Sequence, residues 1–195
     1  RQETVDKLRR GDVTFEEKGL PELFAAARES GNINFRCDYP TEDFYIITVP
    51  TPYLADSKKV DAAAIVDALR HVLAHCADNA VIVVESTISP GTIDREVRPV
   101  VAESGKHVRL AHAPERIIPG NMLNELIHNP RTIGCDDAAT GEEIKNVYLS
   151  FCHGDIVITD IKTAEMTKVV ENTFRDINIA FANELAKICR RGGMD

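Results

Sequence analysis

Side chains that could take part in chemistry follow the predicted strands of this sequence. The first are Pro50 and Thr51, which come directly after the β-branched run 44–49. Proline fixes its own backbone torsion and restricts the residue before it, so this turn is predicted to be extended and to present the Thr51 hydroxyl beside a strand end. A stiff strand-to-helix loop without a ligand is the alternative interpretation.

A second segment, Glu-Ser-Thr-Ile-Ser-Pro-Gly-Thr at 85–92, follows the fully apolar run 81–84. It places the hydroxyls of Ser86 and Thr87 between a strand end and a helix start. Free amides at the start of a helix suit an anion, and hydroxyls can hold a water or a ribose. Capping of the helix is the alternative, but capping explains one hydroxyl and not four in eight residues.

A carboxylate and a guanidinium are adjacent in Ala-Pro-Glu-Arg-Ile-Ile-Pro-Gly at 113–120, after the run 108–111. Glu115 could transfer protons or hold a catalytic water, and Arg116 could bind phosphate or sugar oxygens. A surface ion pair accounts equally well for this segment taken alone.

Lys168 and Asn172 are four residues apart and share one face of a predicted helix. An ammonium and an amide on a rigid helix can stabilise a developing oxyanion, and Arg175 and Asp176 extend the polar surface by one turn. A solvated face opposite an apolar stripe is the alternative.

The remaining composition disfavours several other functions. The net charge of −8 argues against a nucleic-acid partner, and no apolar run approaches the length of a membrane helix. His71 and His75 share a helix face without the glutamate of a zinc-protease motif, and the five cysteines form no C-x-x-C pair. We therefore expect no metal site and a reducing, cytoplasmic location.

Short β-branched runs alternate with longer helical stretches, which predicts a doubly wound parallel sheet with ligands at the carboxyl ends of its strands. The predicted strands are 33–36, 44–49, 81–84, 108–111, 131–134 and 156–159. The predicted helices are 2–10, 20–30, 60–77, 91–103, 122–128, 141–151 and 162–191. The last helix carries an apolar stripe and is long enough to leave the sheet and support an interface.

In combination and order, the segments 51–56, 85–92, 113–120 and 163–176 resemble the UDP-glucose/GDP-mannose dehydrogenase family, closest to its UDP-N-acetyl-D-mannosamine branch. The resemblance covers nearly the whole chain. It implies a partial NAD-binding Rossmann-like domain over 1–160, missing its first strands, and the start of a central helical dimerisation domain over 161–195. It also implies a homodimer through the long connecting helix.

The resemblance implies oxidation of the C6 alcohol of a UDP-sugar to a carboxylate with two NAD, through an aldehyde that a cysteine attacks. Thr87 would then hold a catalytic water, and Glu115 would act in acid/base chemistry. Lys168 and Asn172 would stabilise the oxyanion and contact the substrate. The remaining implied contacts are Pro50, Thr51, Ser86 and Thr87 with the cofactor, and Arg116, Ile117, Pro119 and Arg175 with the sugar nucleotide.

Three departures from the family pattern bear on these expectations. No G-x-G-x-x-G is present, and none of the five cysteines has the glycine-rich setting of the family's nucleophile. The glycine loop is therefore expected before Arg1, the nucleophile beyond Asp195, and the chain alone is expected to be inactive. Pro119 stands where UDP-glucose dehydrogenases carry a second glutamate, which favours the acetamido-sugar branch.

Two other functions stay open from the residues. Another NAD-linked dehydrogenase of the β-hydroxyacid type would use the lysine as its acid/base and need no cysteine. A non-catalytic module would use the long helix only to dimerise, and its role would survive replacement of Lys168 and Asn172.

Overall fold

The computed structural model describes residues 1–56 and 58–194 and contains a five-stranded sheet covered by helices. Asp195, the last residue of the predicted second domain, lies outside the described residues. The strands are β1 Phe44–Ile47, β2 Tyr53–Leu54, β3 Lys59–Val60, β4 Val81–Val84, β5 Arg109–His112, β6 Arg131–Cys135 and β7 Ile156–Thr159. The helices are α1 Gln2–Arg10, α2 Leu20–Glu29, α3 Ala63–His75, α4 Arg98–Ser104, α5 Met122–His128, α6 Ala138–Tyr148 and α7 Ile161–Arg191, with a π-helical turn at Ile93–Val97 before α4.

The sheet has the strand order β1-β4-β5-β6-β7, and three of its four strand pairs are parallel. The fourth pair, β5 with β6, is antiparallel, so the predicted parallel sheet contains one antiparallel step. No residue of α5 is buried, so α5 does not cover a face of the sheet as a crossover helix would. The chain therefore re-enters the sheet from the rim at which it left.

Alternating residues of β4 pack into two separate hydrophobic cores, one on each face of the sheet, as expected for a strand at the centre of a doubly wound sheet. Ile82 and Val84 pack with Ile65 and Leu69 of α3 on one face. Val81 and Val83 pack with residues of α6 on the other face. The mixed α/β fold class predicted from the sequence is therefore confirmed, with one antiparallel step.

The strand predicted at 33–36 was wrong, because these residues form no regular structure. The Arg9 guanidinium donates to the Phe35 carbonyl at 2.8 and 3.1 Å, which satisfies a group that a neighbouring strand would otherwise bind. The Phe35 ring packs on Phe24 with centroids 5.5 Å apart. Contacts with side chains of α1 and α2, and not pairing with a strand, therefore fix the position of this segment.

Three helix starts also differ from the prediction, and one of them is that of α6, which begins at Ala138 and not at residue 141. Lys59–Val60 pairs antiparallel with Tyr53–Leu54, so α3 begins at Ala63 and not at residue 60. The helix predicted to begin at residue 91 opens with the π-helical turn, whose first residue, Ile93, is buried.

The long helix α7 crosses the sheet before it leaves it. Gly134 of β6 allows this crossing, because a Cβ at that position would lie 2.6 Å from the Ala164 Cβ and 2.8 Å from the Asp160 carbonyl oxygen. Ile161 and Ala164 are buried, whereas residues 173–188 are all exposed. Among the described residues, no helix combines the length and apolarity that a membrane crossing requires.

Candidate active site

The antiparallel pair β5–β6 brings two charged residues together at the carboxyl rim of the parallel strands. Ala111 pairs with Cys135 and His112 with Gly134, so continuing the same register places Glu115 opposite Arg131. The two side chains form an ion pair there. In a purely parallel sheet Arg131, at the start of its strand, would have lain at the opposite edge.

Three donors hold the Glu115 carboxylate. One oxygen, Oε1, accepts from the backbone amides of Arg116 at 2.5 Å and Ile117 at 3.1 Å. The other, Oε2, accepts from the guanidinium of Arg131. The carboxylate is therefore fixed in orientation at the rim, and its remaining lone pairs are the ones available to a ligand or a water.

Arg131 is 5% exposed and packs against two aromatic rings that meet edge to face, with its guanidinium carbon 4.6 Å from the Tyr148 centroid and 5.3 Å from that of Phe151. Its Nη1 lies 3.4 Å from Glu85, and the Tyr148 hydroxyl donates to the same Glu85 oxygen at 2.5 Å. Burial raises the pKa of Glu85, while its contacts with Tyr148 and Arg131 oppose that shift. Burial and the neighbouring Glu85 raise the pKa of Tyr148.

The sequence reasoning did not assign Arg131, Tyr148 or Glu85 to the site. One signal was present, because Glu85 is a charged residue directly after four apolar strand residues. Arg131 and Tyr148 left no comparable signal, since their position depends on the direction of β6.

The loops after β1 and β4 are tied to each other by hydroxyl groups. The Thr51 hydroxyl donates to the Thr87 carbonyl at 2.8 Å, and the Ser86 hydroxyl donates to the Val49 carbonyl at 2.7 Å. Pro50, between them, is exposed. The cleft at these loops is lined by Thr48, Val49, Glu85, Ser86, Thr87 and Glu115. Thr87 and Glu115 therefore face the same cleft.

The amides predicted to receive an anion at the start of the next helix are occupied by a side chain. Glu165 of α7, which is fully buried, accepts from the amide of Gly91 at 2.5 Å and from that of Ile93 at 2.9 Å. The expectation of free amides at this turn was therefore wrong. The carboxylate instead joins the 85–92 loop to α7, one turn before Lys168.

Lys168 is half-buried, and burial lowers its pKa while the neighbouring Glu171 opposes the shift. Glu115 is also close enough to favour its charged form. Lys168 borders a second cleft at the same rim. That cleft is lined by Arg116, Ile118, Glu125, Asn129, Lys168, Glu171, Phe174 and Arg175.

The polar face of α7 contacts the 113–120 segment and itself. Arg116 forms an ion pair with Glu171 at 2.7 Å, and Arg175 donates to the Asn172 side-chain oxygen at 2.8 Å. Arg116, Glu171 and Asn172 are partly buried, so the solvated-face alternative does not describe this part of the helix.

The rest of the 113–120 segment is held by carboxylates from elsewhere. Glu125 accepts from the Ile118 amide at 2.7 Å, and the buried Glu17 accepts from the amides of Gly120 at 2.9 Å and Met122 at 3.1 Å. Pro119 is exposed between these anchors. The loop is thus fixed by side chains, and its anchored amides are not offered to a ligand.

The structure gathers the predicted residues at one rim. Thr87 and Glu115 line one cleft, and Lys168 borders the next, with Asn172 one turn further along the same helix. The first cleft offers hydroxyls and half-buried backbone after β1 and β4, which suits the ribose and amide groups of a dinucleotide. It offers no free glycine-loop amides for a diphosphate, so within the described residues the fit to a dinucleotide is partial.

Comparison with known proteins agrees with this geometry. Residues 1–152 match the NAD-binding domain of the UDP-glucose/GDP-mannose dehydrogenase family, and residues 162–195 match the central domain of that family. A UDP-N-acetyl-D-mannosamine dehydrogenase from Methanococcus aeolicus is 41% identical over 96% of this chain and 43% of its own length. An enzyme with that name from Escherichia coli K12 is 34% identical over 100% of this chain and 49% of its own length.

Solved structures give the same assignment. The UDP-N-acetyl-mannosamine dehydrogenase Cap5O from Staphylococcus aureus superposes with a TM-score of 0.88 at 42% identity, over 98% of this chain and 48% of that one. The corresponding enzyme from Pyrococcus horikoshii superposes with a TM-score of 0.91 at 33% identity, over 100% of this chain and 48% of that one. The chain thus spans less than half the length of these relatives, and it belongs to the UDP-glucose/GDP-mannose dehydrogenase family, of which it carries NAD-binding-domain and central-domain sequence.

Proposed function

We propose that the protein containing this chain oxidises the C6 hydroxyl of a UDP-N-acetylhexosamine, UDP-N-acetyl-D-mannosamine in particular, to the uronic acid with NAD. The observation that carries the proposal is the meeting of Thr87, Glu115 and Lys168 at one rim of the sheet. Names of relatives support the substrate class, since proteins at 41% and 34% identity are called UDP-N-acetyl-D-mannosamine dehydrogenases.

Each side chain at the rim has a separate role in the proposed reaction. When bound, NAD supplies the hydride acceptor, and Thr51, Ser86 and Thr87 are the groups we assign to its cleft together with Pro50. Glu115, with a water held at Thr87, takes the proton of the C6 hydroxyl. Lys168 and Asn172 donate to the oxyanion that this proton transfer creates.

Substrate binding requires exchange of two contacts within the protein. Arg116 is paired with Glu171, and Arg175 donates to Asn172. A diphosphate that approaches α7 would compete for both guanidinium groups, and arginine binds phosphate oxygens through two parallel N–H donors. We therefore assign Arg116 and Arg175 to the nucleotide, and Ile117 and Pro119 to the sugar side of the loop.

Three further assignments belong to the same proposal. We place the NAD-binding part at 1–160 and the start of the central domain at 161–195. We expect a homodimer through α7, whose exposed apolar side chains favour burial against a second copy. A cytoplasmic location stays a prediction.

The test is NAD reduction by the longer protein that contains this chain, assayed with four sugar nucleotides. We expect the highest kcat/KM with UDP-N-acetyl-D-mannosamine and lower values with UDP-N-acetyl-D-glucosamine, UDP-glucose and GDP-mannose. Two NADH formed for each sugar consumed would support oxidation to the acid. One NADH per sugar, or preference for a small hydroxyacid, would contradict the proposal. The chain alone is expected to reduce no NAD.

A further inference from the structure

Four side chains form one group at the rim: Glu85 and Glu115, which line the cleft, and the buried Arg131 and Tyr148. Arg131 is 5% exposed, Tyr148 is 1% exposed, and the two carboxylates flank the guanidinium. The proposed reaction uses Glu115 and assigns no role to the other three. Two carboxylates so close together are kept there by the cation between them.

The surroundings of Arg131 fix its position more tightly than an ion pair alone requires. The rings of Tyr148 and Phe151, which meet edge to face, both contact the guanidinium, with centroids 4.6 and 5.3 Å from its carbon, and arginine is suited to such cation–π contacts. Its edge carries separate N–H donors, which reach Glu85 and Glu115 at the same time. A lysine has no planar edge and could not reproduce this arrangement fully.

Glu85 contacts a different nitrogen of the Arg131 guanidinium from the one that Glu115 contacts. The Tyr148 hydroxyl donates to the Glu85 oxygen that also faces Arg131. Tyr148 therefore contacts Arg131 through its ring and Glu85 through its hydroxyl. Burying a charged pair is costly, and a stability role would be served as well by apolar residues of similar volume. The cluster touches the proposed acid/base residue, which points to a role in orienting it.

We propose that Arg131, packed against Tyr148 and Phe151 and anchored by Glu85, is a positioning residue that sets the orientation of the Glu115 carboxylate toward the cleft of Thr87. The inference rests on the proposed function. Two amides fix one oxygen of Glu115, and Arg131 fixes the other. Without Arg131 the carboxylate is free to rotate about the first oxygen, and the lone pairs that face the cleft move.

The first test compares Arg131→Gln, Arg131→Lys and Arg109→Gln in the longer enzyme. Arg109 is the matched control, because it forms an arginine–glutamate pair with Glu143 at the other end of β5. We expect Arg131→Gln to lower kcat about 100-fold, the size of effect that a misplaced catalytic group produces. KM for both substrates should change little, because Arg131 is not among the residues that line either cleft.

Arg131→Lys restores the charge without the planar edge, so we expect kcat to recover only in part. Arg109→Gln should leave kcat and KM unchanged. If Arg131→Gln fails to fold, Tyr148→Phe provides the second variant, and we expect it to lower kcat about threefold to tenfold, the scale of one lost hydrogen bond. An unmoved kcat in Arg131→Gln or in Tyr148→Phe, or a loss of kcat/KM in Arg131→Gln that lies entirely in KM, would overturn the proposal.

A second readout separates this inference from the proposed function. Crystal structures of this chain and of its Arg131→Gln variant report the Glu115 side chain without any turnover. We expect a different Glu115 rotamer in the variant. An unchanged rotamer would overturn the positioning role, whereas a wild-type enzyme that oxidises no sugar nucleotide would overturn the proposed function and leave the rotamer result standing.

Discussion

Burial lowers the pKa of two basic side chains, Lys168 and His112, with different consequences. Lys168 is half-buried beside Glu171 and Glu115, which favour its charged form. His112 is fully buried in β5, its Nδ1 lies 2.8 Å from the Val84 carbonyl, and burial lowers its pKa to about 4. The first shift bears on the proposed role of Lys168, and the second bears on stability.

Replacing Lys168 should affect turnover more than binding. In the longer enzyme we expect Lys168→Met to lower kcat about 100-fold to 1,000-fold, the size of effect seen when one oxyanion donor is removed. Lys168→Arg should retain part of the activity and move the alkaline limb of the pH profile upward, because the lysine loses its charge below its ordinary pKa. Lys162→Met, at an exposed lysine paired with Asp94, is the control. Equal kcat for the two methionine variants would contradict the role of Lys168.

His112 should make the chain less stable in mild acid. Its folded-state pKa of about 4 lies below the ordinary 6.5, so the unfolded chain binds more protons between these values, and stability falls as pH drops through that window. From pH 7 to pH 5 this amounts to about 2 kcal/mol. His112→Asn keeps a donor for the Val84 carbonyl and removes the titration.

Urea unfolding at the two pH values checks this expectation. The loss of unfolding free energy should be smaller in His112→Asn by about 2 kcal/mol. The control His107→Asn, at a side chain that is 90% exposed, should behave like the wild type. The same pH response in the wild type and His112→Asn would show that His112 is charged in the folded state.

The residue types that follow β4 and β5 were enough to predict that Thr87 and Glu115 share one edge of the sheet, because the carboxyl ends of parallel strands meet there. Lys168 was predicted from its helix face and from the family resemblance, and it reaches that edge because α7 starts at the opposite edge, after the reversed β7, and crosses the sheet. Arg131 was not predictable in this way, because its place at the rim depends on the reversed direction of β6. The occupied amides of the 85–92 loop were missed for a similar reason, since Glu165 is more than seventy residues away in sequence.

Among the elements, α7 has the largest effect on the site, because it carries Lys168 and Asn172 across the sheet to the rim. Gly134 allows the close crossing, and Glu165 fixes the helix to the 85–92 loop. Both contacts lie in the first turns of α7. The position of the helix is therefore set where it leaves β7.

Glu165→Gln should destabilise the chain more than its small change in volume suggests. One oxygen becomes an NH₂ group that faces a backbone amide, so a buried donor loses its acceptor. The expected loss of unfolding free energy is about 2 kcal/mol, measured by urea denaturation. Glu142→Gln, at an exposed pair with Lys145, should cost less than about 1 kcal/mol. Equal midpoints for the two variants would show that Glu165 is not needed to hold the helix.

Most helix and strand positions were predictable because hydrophobic period and turn residues are local signals. The errors lie where tertiary contacts override them. Arg9 donates to the Phe35 carbonyl, which a neighbouring strand would otherwise bind. The first residues expected in α3 form β3 instead, which pairs with β2. The direction of β6 could not be predicted, since the segment before it contains a helix in either case.

For the molecule as a whole, the most unusual surface is the apolar face of α7. Its side chains are more exposed than is usual for large apolar residues: Phe174 70%, Ile177 63%, Phe181 68% and Ile188 60%. Contiguous apolar surface of this kind marks an interaction site. The predicted stripe is therefore present, although it does not pack on the rest of the chain.

If α7 forms the proposed homodimer, a charge on this face should separate the copies. We expect Phe181→Glu to convert a dimer of the longer protein to a monomer in size-exclusion chromatography with light scattering. The control Asn183→Glu places the same charge on the opposite face of the helix and should leave the dimer intact. A dimer that survives Phe181→Glu would place the interface elsewhere.

The carboxylate of Glu165 accepts the hydrogen bonds of the backbone amides that could otherwise bind a phosphate at this strand-to-helix turn. A nucleotide that approaches this face therefore finds its attraction in guanidinium and ammonium groups on partly exposed surfaces, and not in backbone amides. Attraction of that kind is screened by mobile ions within about 10 Å at 0.1 M salt. We expect the affinity for sugar nucleotides to fall steeply as sodium chloride is added, whereas a ligand without phosphate would be insensitive to ionic strength.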